Sequence, residues 1–253
     1  MIKFFRKIRQ KLLSENKFSK YLIYAIGEIV LVVIGILIAL QINNWNEERK
    51  ANLREHSLYQ NIITDLDNED VRLNSALGQY KQHSDAYYQI YNESIGKANF
   101  DSTINKLDAY NILRWHNVFD FVVTIKHKNN ISEITSNNII ELLNEKVNIE
   151  SNVLQANQNF NNFKDEIIIP FFIRHRIYDS NKAFQSEKYK FSPLLYNNFI
   201  RNDRLKSQEV FAEFNQILVE LKIKTSWAIE TLERLMRKNS EISEALSNEL
   251  NKK

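Results

Sequence analysis

An acidic run in the first third of the chain has the residue types that bind calcium. Residues 65–70 read Asp-Leu-Asp-Asn-Glu-Asp. A calcium loop that begins at Asp65 needs glycine at its sixth position and glutamate at its twelfth. The chain has Asp70 and Ala76 at these positions. We therefore interpret the run as a solvated helix face and expect no calcium there.

One pair of residues has a spacing that would allow two ligands for one metal ion. His116 and Asp120 are four residues apart and share one face of a helix. No further histidine lies at motif spacing, and the chain contains no cysteine. Disulfides, cysteine-ligated zinc and a thiol nucleophile are thereby excluded. The sequence predicts neither a metal nor another cofactor.

Motifs of the common enzyme classes are absent. The sequence has no serine-hydrolase elbow, phosphate-binding glycine loop, HExxH zinc motif or dinucleotide fingerprint. The cluster Arg174-His175-Arg176 could bind an anion, but a surface basic cluster explains it more simply. The aromatic residues from Phe184 to Phe199 could line a groove or pack a connecting segment onto a core. We predict that the protein is not an enzyme.

The most apolar segment is residues 21–42, which contain one charged residue, Glu28. As a helix this segment would span about 33 Å, close to the ~30 Å hydrocarbon core of a bilayer. It is longer than the apolar part of a cleavable signal peptide, and Trp45 suits the membrane interface beyond its end. We predict a transmembrane helix that acts as an uncleaved signal anchor.

Charge is distributed unevenly around this segment. Residues 1–20 carry a net charge of +6 and residues 43–253 a net charge of −2, within a total of +3. The positive-inside rule places the N-terminus in the cytoplasm. No second apolar stretch is long enough to return, so we expect residues 43–253 to be periplasmic, on the inner membrane of a Gram-negative bacterium. This location and charge argue against nucleic-acid binding.

Residues 1–20 form a basic cytoplasmic segment. Phe5, Ile8 and Leu12 would share one face of a helix between the bases. The segment is either an amphipathic helix that binds anionic membrane lipid or a plain topogenic charge cluster. The bases that would contact the membrane surface are Lys3, Arg6, Lys7, Arg9 and Lys11.

Small residues and one acid suggest how the transmembrane helix could pack. Gly27, Gly35 and Ala39 form a small-residue stripe that would let a second helix approach closely, although glycine is also simply tolerated in membrane helices. Glu28 could contact a partner helix or carry a coupled proton. Alternatively, its side chain reaches the cytoplasmic interface or bonds to the Tyr24 hydroxyl. We expect self-association through these four residues, or association with another membrane protein.

Four glycines and two prolines in 253 residues predict few turns and long helices. Apolar residues spaced by three, four or seven predict a helix over about 44–94 that could continue the transmembrane helix and stop at Gly96. A second helical region covers about 103–125, with a short strand as the alternative for residues 118–123. Asn129-Asn130 is expected to be a turn in which asparagine adopts left-handed dihedral angles.

Three further helix signals complete the predicted fold. Ser136 should cap a helix whose apolar face includes Val147 and Leu154 and which Pro170 ends or kinks. Ser192-Pro193 could start another helix. The last helix should cover about 206–248. The predicted fold class is mainly α: one N-terminal transmembrane helix, then an extracytoplasmic up-down bundle of long helices with coiled-coil-like spacing.

The segment from Tyr24 to Glu47, YAIGEIVLVVIGILIALQINNWNE, follows the basic leader MIKFFRKIRQ. This arrangement resembles a family of uncharacterised single-pass bacterial membrane proteins that have such an N-terminal block and a more divergent helical region behind it. The resemblance is strong over residues 1–50 and weak beyond. It implies a membrane location and no particular activity.

Two hypotheses for function follow. The first is a non-enzymatic, membrane-anchored interaction protein, a scaffold or accessory subunit that projects into the periplasm. The alternative is a periplasmic ligand-sensing bundle that acts through a separate transducing partner, because this chain has no second span and no effector domain.

Overall fold

A computed structural model describes residues 18–97, 120–184, 201–205 and 207–252. All regular structure within these ranges is helical, which confirms the mainly α prediction. The long helices are α1 (Phe18–Ser94), α3 (Asn137–Phe163) and α7 (Gln208–Asn251). The short ones are α2 (Val122–His127), α4 (Ile169–Arg174), α5 (Ser180–Phe184) and α6 (Asn202–Leu205), with a 3-10 turn at Ile131–Glu133 and a π-helical turn at Lys164–Ile168.

Helix α1 includes both the apolar segment and the predicted helix over 44–94 without a break. It ends at Gly96, which has a φ of 74°. The backbone N–H of Lys97 donates to the carbonyl of Asn92 at 2.8 Å, the hydrogen bond expected when a left-handed residue closes a helix. The sequence prediction of both the continuous helix and its end is confirmed.

The chain divides into two units, Met1–Ser57 and Leu58–Lys253. In the described part of the first unit, the large apolar side chains of the apolar segment 21–42 are exposed. Their exposed fractions run from 47% for Val33 to 69% for Ile23. Its most apolar stretch has a mean hydropathy of 2.6 and no buried residue. By length and composition, α1 is the one helix in the described ranges that could cross a membrane.

The second unit is a bundle in which α7 is antiparallel to both α1 and α3. Lys238 of α7 contacts Glu145 of α3 and Lys224 lies over the Phe163 ring, so α7 is antiparallel to α3. Glu69 of α1 pairs with Lys146 of α3 and Tyr80 with Phe160, so these two helices are parallel. Helix α2 contacts both of them, since His127 pairs with Asp65 of α1 and Thr124 donates to Glu150 of α3.

Spacings of three and four residues place the core side chains on one stripe of each long helix, as in a coiled coil. On α7 the apolar residues with this spacing from Phe214 to Leu246 are buried, and Phe211 lies at the edge of the core. The bundle has two apolar clusters. One contains Leu58, Ile62, Leu66, Leu142, Leu143, Ile242 and Leu246, and the other contains Leu73, Tyr80, Ile149, Val153, Phe160, Leu232 and Leu235.

The predicted face of α3 is partly wrong. Val147 is 44% exposed and Leu154 38% exposed. The buried stripe instead runs through Ile139, Lys146 and Val153. Because a buried lysine interrupts the apolar pattern, the nearby exposed valine and leucine gave the stronger apparent period.

Pro170 does not end this helix. Helical backbone continues past it to Arg174, and the turn just before it, Lys164–Ile168, is π-helical. Proline lacks an N–H and crowds the carbonyl four residues earlier, so the wider π turn accommodates it. The π turn also leaves Lys164, Ile168 and Phe171 buried.

Several local predictions concern the connection before α3. Residues 122–127 are helical rather than a strand. Asn129 and Asn130 form a turn, but Asn130 has a φ of −100° and no described asparagine is left-handed. Ser136 is the N-cap residue of α3, although its side chain donates or accepts no capping hydrogen bond. The predicted helix start at Ser192 and most of the region 103–125 lie outside the described residues.

Candidate functional site: a buried charged layer

Lys146 lies at the centre of a group of charged side chains inside the bundle. Its Nζ donates to Glu69 Oε1 on α1 at 2.7 Å and to Glu150 Oε1 one turn further along α3. The three side chains are 0%, 2% and 5% exposed, respectively. Lys146 Nζ also lies 5.6 Å from the centre of the Phe121 ring, where a cation is attracted to the aromatic face.

Helices α2 and α7 complete this group. Asn239 Nδ2 on α7 donates to Glu69 Oε1 at 3.2 Å and to Asp70 Oδ1 at 2.7 Å. Thr124 Oγ1 on α2 donates to Glu150 Oε1 at 2.7 Å. We name this group the charged layer: Glu69, Asp70, Thr124, Lys146, Glu150 and Asn239. It joins four helices at one level of the bundle.

The charged layer separates the two apolar clusters. On α1 it falls between Leu66 and Leu73, which belong to different clusters. On α7 Asn239 falls between Leu235 and Ile242 in the same way. Each helix therefore presents a polar residue where its neighbours also present one, and a shift of any helix along its axis would bury a charge against apolar side chains.

Burial sets the protonation behaviour of two carboxyl groups in the charged layer. Burial raises the pKa of Glu150, while the charge of Lys146 and hydrogen bonds from Lys146 and Thr124 act against it. Burial also raises the pKa of Asp70, with the charges of Glu69 and Asp67 adding to this and the Asn239 hydrogen bond opposing it. Both carboxyl groups hold a proton more readily than they would in water.

A second ionic contact lies one turn before the charged layer on α1. Asp65 Oδ2 is 2.7 Å from His127 Nε2 and 2.8 Å from Lys126 Nζ, which lie at the end of α2. Burial alone would raise the pKa of the Asp65 carboxyl, but the hydrogen bonds and charges of Lys126 and His127 outweigh it and lower that pKa. This contact attaches α2 to α1.

Further polar residues are buried about two heptads along the bundle. His83 on α1 stacks on Phe160 of α3 with 6.4 Å between ring centres, and Tyr87 faces Thr225 of α7. Burial raises the pKa of the Tyr87 phenol. Lys164, in the π turn, is completely buried, and burial lowers the pKa of its amine to about 7 despite the nearby charge of Asp165.

The charged layer can fix alignment more readily than it can act on a substrate. Its central side chains are sealed between helices, so no reacting molecule reaches them without opening the bundle. A buried ion pair gains little net stability, because desolvation offsets the attraction between the charges. A polar residue at one core position of a coiled coil instead specifies register and partner choice. The layer thus favours one alignment of α1, α3 and α7.

The structure corrects the interpretation of the acidic run. Residues 65–70 are not simply a solvated face, because Glu69 is 1% exposed and Asp65 and Asp70 are engaged by His127 and Asn239. Sequence reasoning missed Lys146, Glu150 and Asn239 entirely. The available signal was the spacing: Glu69, Lys146 and Asn239 each continue the three-four stripe of their own helix.

The other residues that the sequence singled out do not belong to the charged layer. Arg174 Nη2 and His175 Nε2 both contact the Glu213 carboxylate, at 2.6 Å and 2.9 Å, so the basic cluster forms exposed ion pairs on the surface. His116 lies outside the described residues, and so does the segment 185–199 of the aromatic stretch.

The residues predicted to pack in the membrane lie on the exposed part of α1. A Cβ added at Gly27 or Gly35 would have no neighbouring atom within 4 Å, and Ala39 is exposed. Glu28 is half-buried. Their packing against a second helix stays a prediction, and the five leader bases Lys3, Arg6, Lys7, Arg9 and Lys11 lie outside the described residues.

The fold and the charged layer define the chain as a helical bundle protein. Its first described helix is long and apolar enough to cross a membrane. The profile of a family of unknown function, DUF6090, matches residues 28–112. The match covers most of the apolar segment and the part of α1 that enters the bundle core, which agrees with the resemblance to an uncharacterised family. No curated protein and no solved structure matches the chain.

Proposed function

We propose that this protein is a non-enzymatic, membrane-anchored interaction protein, a scaffold or accessory subunit whose bundle lies in the periplasm. The observation that carries the proposal is the contrast between the two parts of α1. From Leu22 to Ile42 its large apolar side chains are exposed, whereas from Leu58 to Ile90 the side chains of the apolar stripe are buried in the bundle. Lipid is the environment in which the exposed part is stable.

Orientation in this proposal rests on charge. The basic residues before the apolar segment favour retention on the cytoplasmic side, and the bundle then follows on the other side. Ser14 and Ser247 lie on opposite sides of the segment. Because the chain has no cysteine, Ser14→Cys and Ser247→Cys each introduce a single thiol. We expect a membrane-impermeant maleimide to label Ser247→Cys from the periplasm and to leave Ser14→Cys unlabelled. The reverse pattern contradicts the proposed topology.

The proposed role in interaction rests on what the bundle does with its polar residues. The buried charges described above pair with one another across helices, and they support alignment rather than chemistry. Long helices on a membrane anchor suit a protein that binds another membrane protein or a second copy of itself. The stripe of Gly27, Glu28, Gly35 and Ala39 is the proposed contact within the membrane.

Affinity purification from native membranes tests this function. The tagged full chain is crosslinked in cells, solubilised in mild detergent and analysed for size and for co-purifying proteins. We expect a crosslinked homo-oligomer or a stoichiometric membrane protein partner. The same experiment is made with Gly35→Leu, which changes the stripe. Val33→Leu, which changes the opposite face of α1, is its matched control. Recovery of monomer alone, without a partner, contradicts the proposal.

A further inference from the structure

The charged layer is short of hydrogen-bond donors. Both N–H groups of the Asn239 amide are used, one by Glu69 and one by Asp70. Lys146 donates to two carboxylates and faces the Phe121 ring. Even so, Glu69 Oε2 and Asn239 Oδ1 are buried and have no hydrogen-bond partner among the described residues. Unfilled buried acceptors are costly, and the layer holds more buried acceptors than its donors fill.

The layer also carries more negative than positive charge. Glu69, Asp70 and Glu150 supply three carboxyl groups around the single ammonium of Lys146. Helix α7 contributes only the neutral Asn239 amide to the layer.

Helix α2 does not correct this imbalance. It contributes the Thr124 hydroxyl to the layer, and its two basic side chains, Lys126 and His127, are directed to Asp65 one turn away. Two of the three carboxyl groups therefore have no matching cation within the charged layer.

We infer that the charged layer is a proton switch, which takes up a proton at Glu150 in mildly acidic solution and thereby strengthens the packing of the bundle. Both hydrogen bonds to Glu150, from Thr124 and Lys146, fall on Oε1, so Oε2 is the oxygen for the added proton. Burial, which raises the pKa of Glu150, favours the same site.

The direction of the effect follows from proton linkage. A carboxyl group whose pKa is raised on folding binds more protons in the folded than in the unfolded chain between the two pKa values. The stability contributed by Glu150 therefore rises as the pH falls from neutral toward 4.5, the ordinary pKa of a glutamate side chain. This slope is opposite to that of a carboxylate held by an ion pair, such as Asp65.

Thermal unfolding of the full chain in detergent, followed by circular dichroism between pH 8 and pH 5, tests the inference. The wild type is compared with Glu150→Gln, which cannot take up the proton. We expect the Tm of the wild type to rise relative to that of Glu150→Gln by about 2–4 °C. The exposed carboxyl variant Glu230→Gln is the matched control and should follow the wild type.

Comparison with a variant removes the contribution of other titrating groups. Burial lowers the pKa of Lys164 to about 7, so this amine gains charge in the same pH range. Lys164 is present in the wild type and in Glu150→Gln, so its effect cancels in the difference. A Tm difference that stays constant or falls as the pH is lowered overturns the inference.

Infrared spectroscopy provides a reading that does not depend on how well the variant folds. In the wild type, lowering the pH from 8 to 5 should produce the carbonyl stretch of a buried protonated carboxylic acid, resistant to rapid exchange with deuterium. Absence of this band in the folded wild type overturns the inference. Persistence of the band in a folded Glu150→Gln chain overturns its assignment to Glu150.

Discussion

Lys146 and Glu69 form a fully buried ion pair, 2.7 Å between Nζ and Oε1, although they are 77 residues apart in the chain. The pair lies where the two apolar clusters of the bundle meet, and it joins α1 to α3 at one level. An apolar contact at this place would hold the helices together in several registers. A charge pair stabilises only the register that brings both partners to the same height.

Replacing Lys146, the cation of this pair, should destabilise the folded protein severely. In Lys146→Met the carboxylates of Glu69 and Glu150 stay buried and lose their counterion. Breaking one side of a buried pair typically costs about 3–5 kcal/mol, and we expect a loss of this size in the free energy of unfolding. Chemical denaturation of the full chain in detergent, followed by circular dichroism, measures it.

Lys238→Met is the matched control for this experiment. Lys238 also pairs with two glutamates, Glu145 and Glu241, but both of these are more than half exposed. Exposed ion pairs contribute about 0–1 kcal/mol, so this variant should unfold close to the wild type. Equal losses in the two lysine variants would contradict a special role for Lys146.

Much of the fold follows from local chemistry in the sequence. Long runs without glycine or proline specify α1 and α7, and the bounds of α7 differ from prediction by two or three residues at each end. Gly96 ends α1 because only a residue that tolerates positive φ can close the helix in that way. Pro170 left open whether the helix ends or kinks, because its effect depends on whether the helix can widen by one residue, which the local sequence does not specify.

The charged layer could be predicted only in part. The period of α1 alone assigns Glu69 to the apolar stripe, since Leu66 and Leu73 are three and four residues away. A glutamate there is expected to be exposed unless a buried cation is at the same level, and Lys146 reaches that level only through the tertiary alignment of α1 and α3. Single-helix periodicity contains no information about that alignment.

Lys164 gives a pH dependence of the opposite sign to that of Glu150. Its pKa falls from 10.5 in an exposed lysine to about 7 in the buried site. The unfolded chain then binds more protons between these values, so stability contributed by this residue rises as the pH rises from 7 to 10.5. The charged amine is costly below pH 7.

Lys164→Met removes this cost. The variant should exceed the wild type in stability by the largest margin below pH 7, and the margin should close as the pH approaches 10.5. Denaturation midpoints at pH 6, 8 and 10 measure the trend. A margin that widens with increasing pH would mean that the buried amine is stabilised in its charged form.

Gly78 within α1 and Gly96 just beyond its end should respond to alanine in opposite ways. Gly96 has a φ of 74°, a conformation that costs an L-residue about 1 kcal/mol, so Gly96→Ala should destabilise the chain by about that amount. Gly78 is exposed in mid-helix with open space around its Cα, and Gly78→Ala should stabilise by about 0.5–1 kcal/mol. Denaturation midpoints measure both, and shifts of the same sign would contradict the assignment of the helix end.

The small-residue stripe in the apolar segment 21–42 gives a test of self-association. Gly35→Leu adds a bulky side chain where a second helix is proposed to approach, and Val33→Leu adds one on the opposite face. Because close backbone approach depends on the absence of a side chain, Gly35→Leu should reduce the crosslinked oligomer several-fold, whereas Val33→Leu should not. Crosslinking of both variants in membranes, quantified on denaturing gels, measures the effect. Equal crosslinking in the two variants would assign oligomer contacts to another part of the chain.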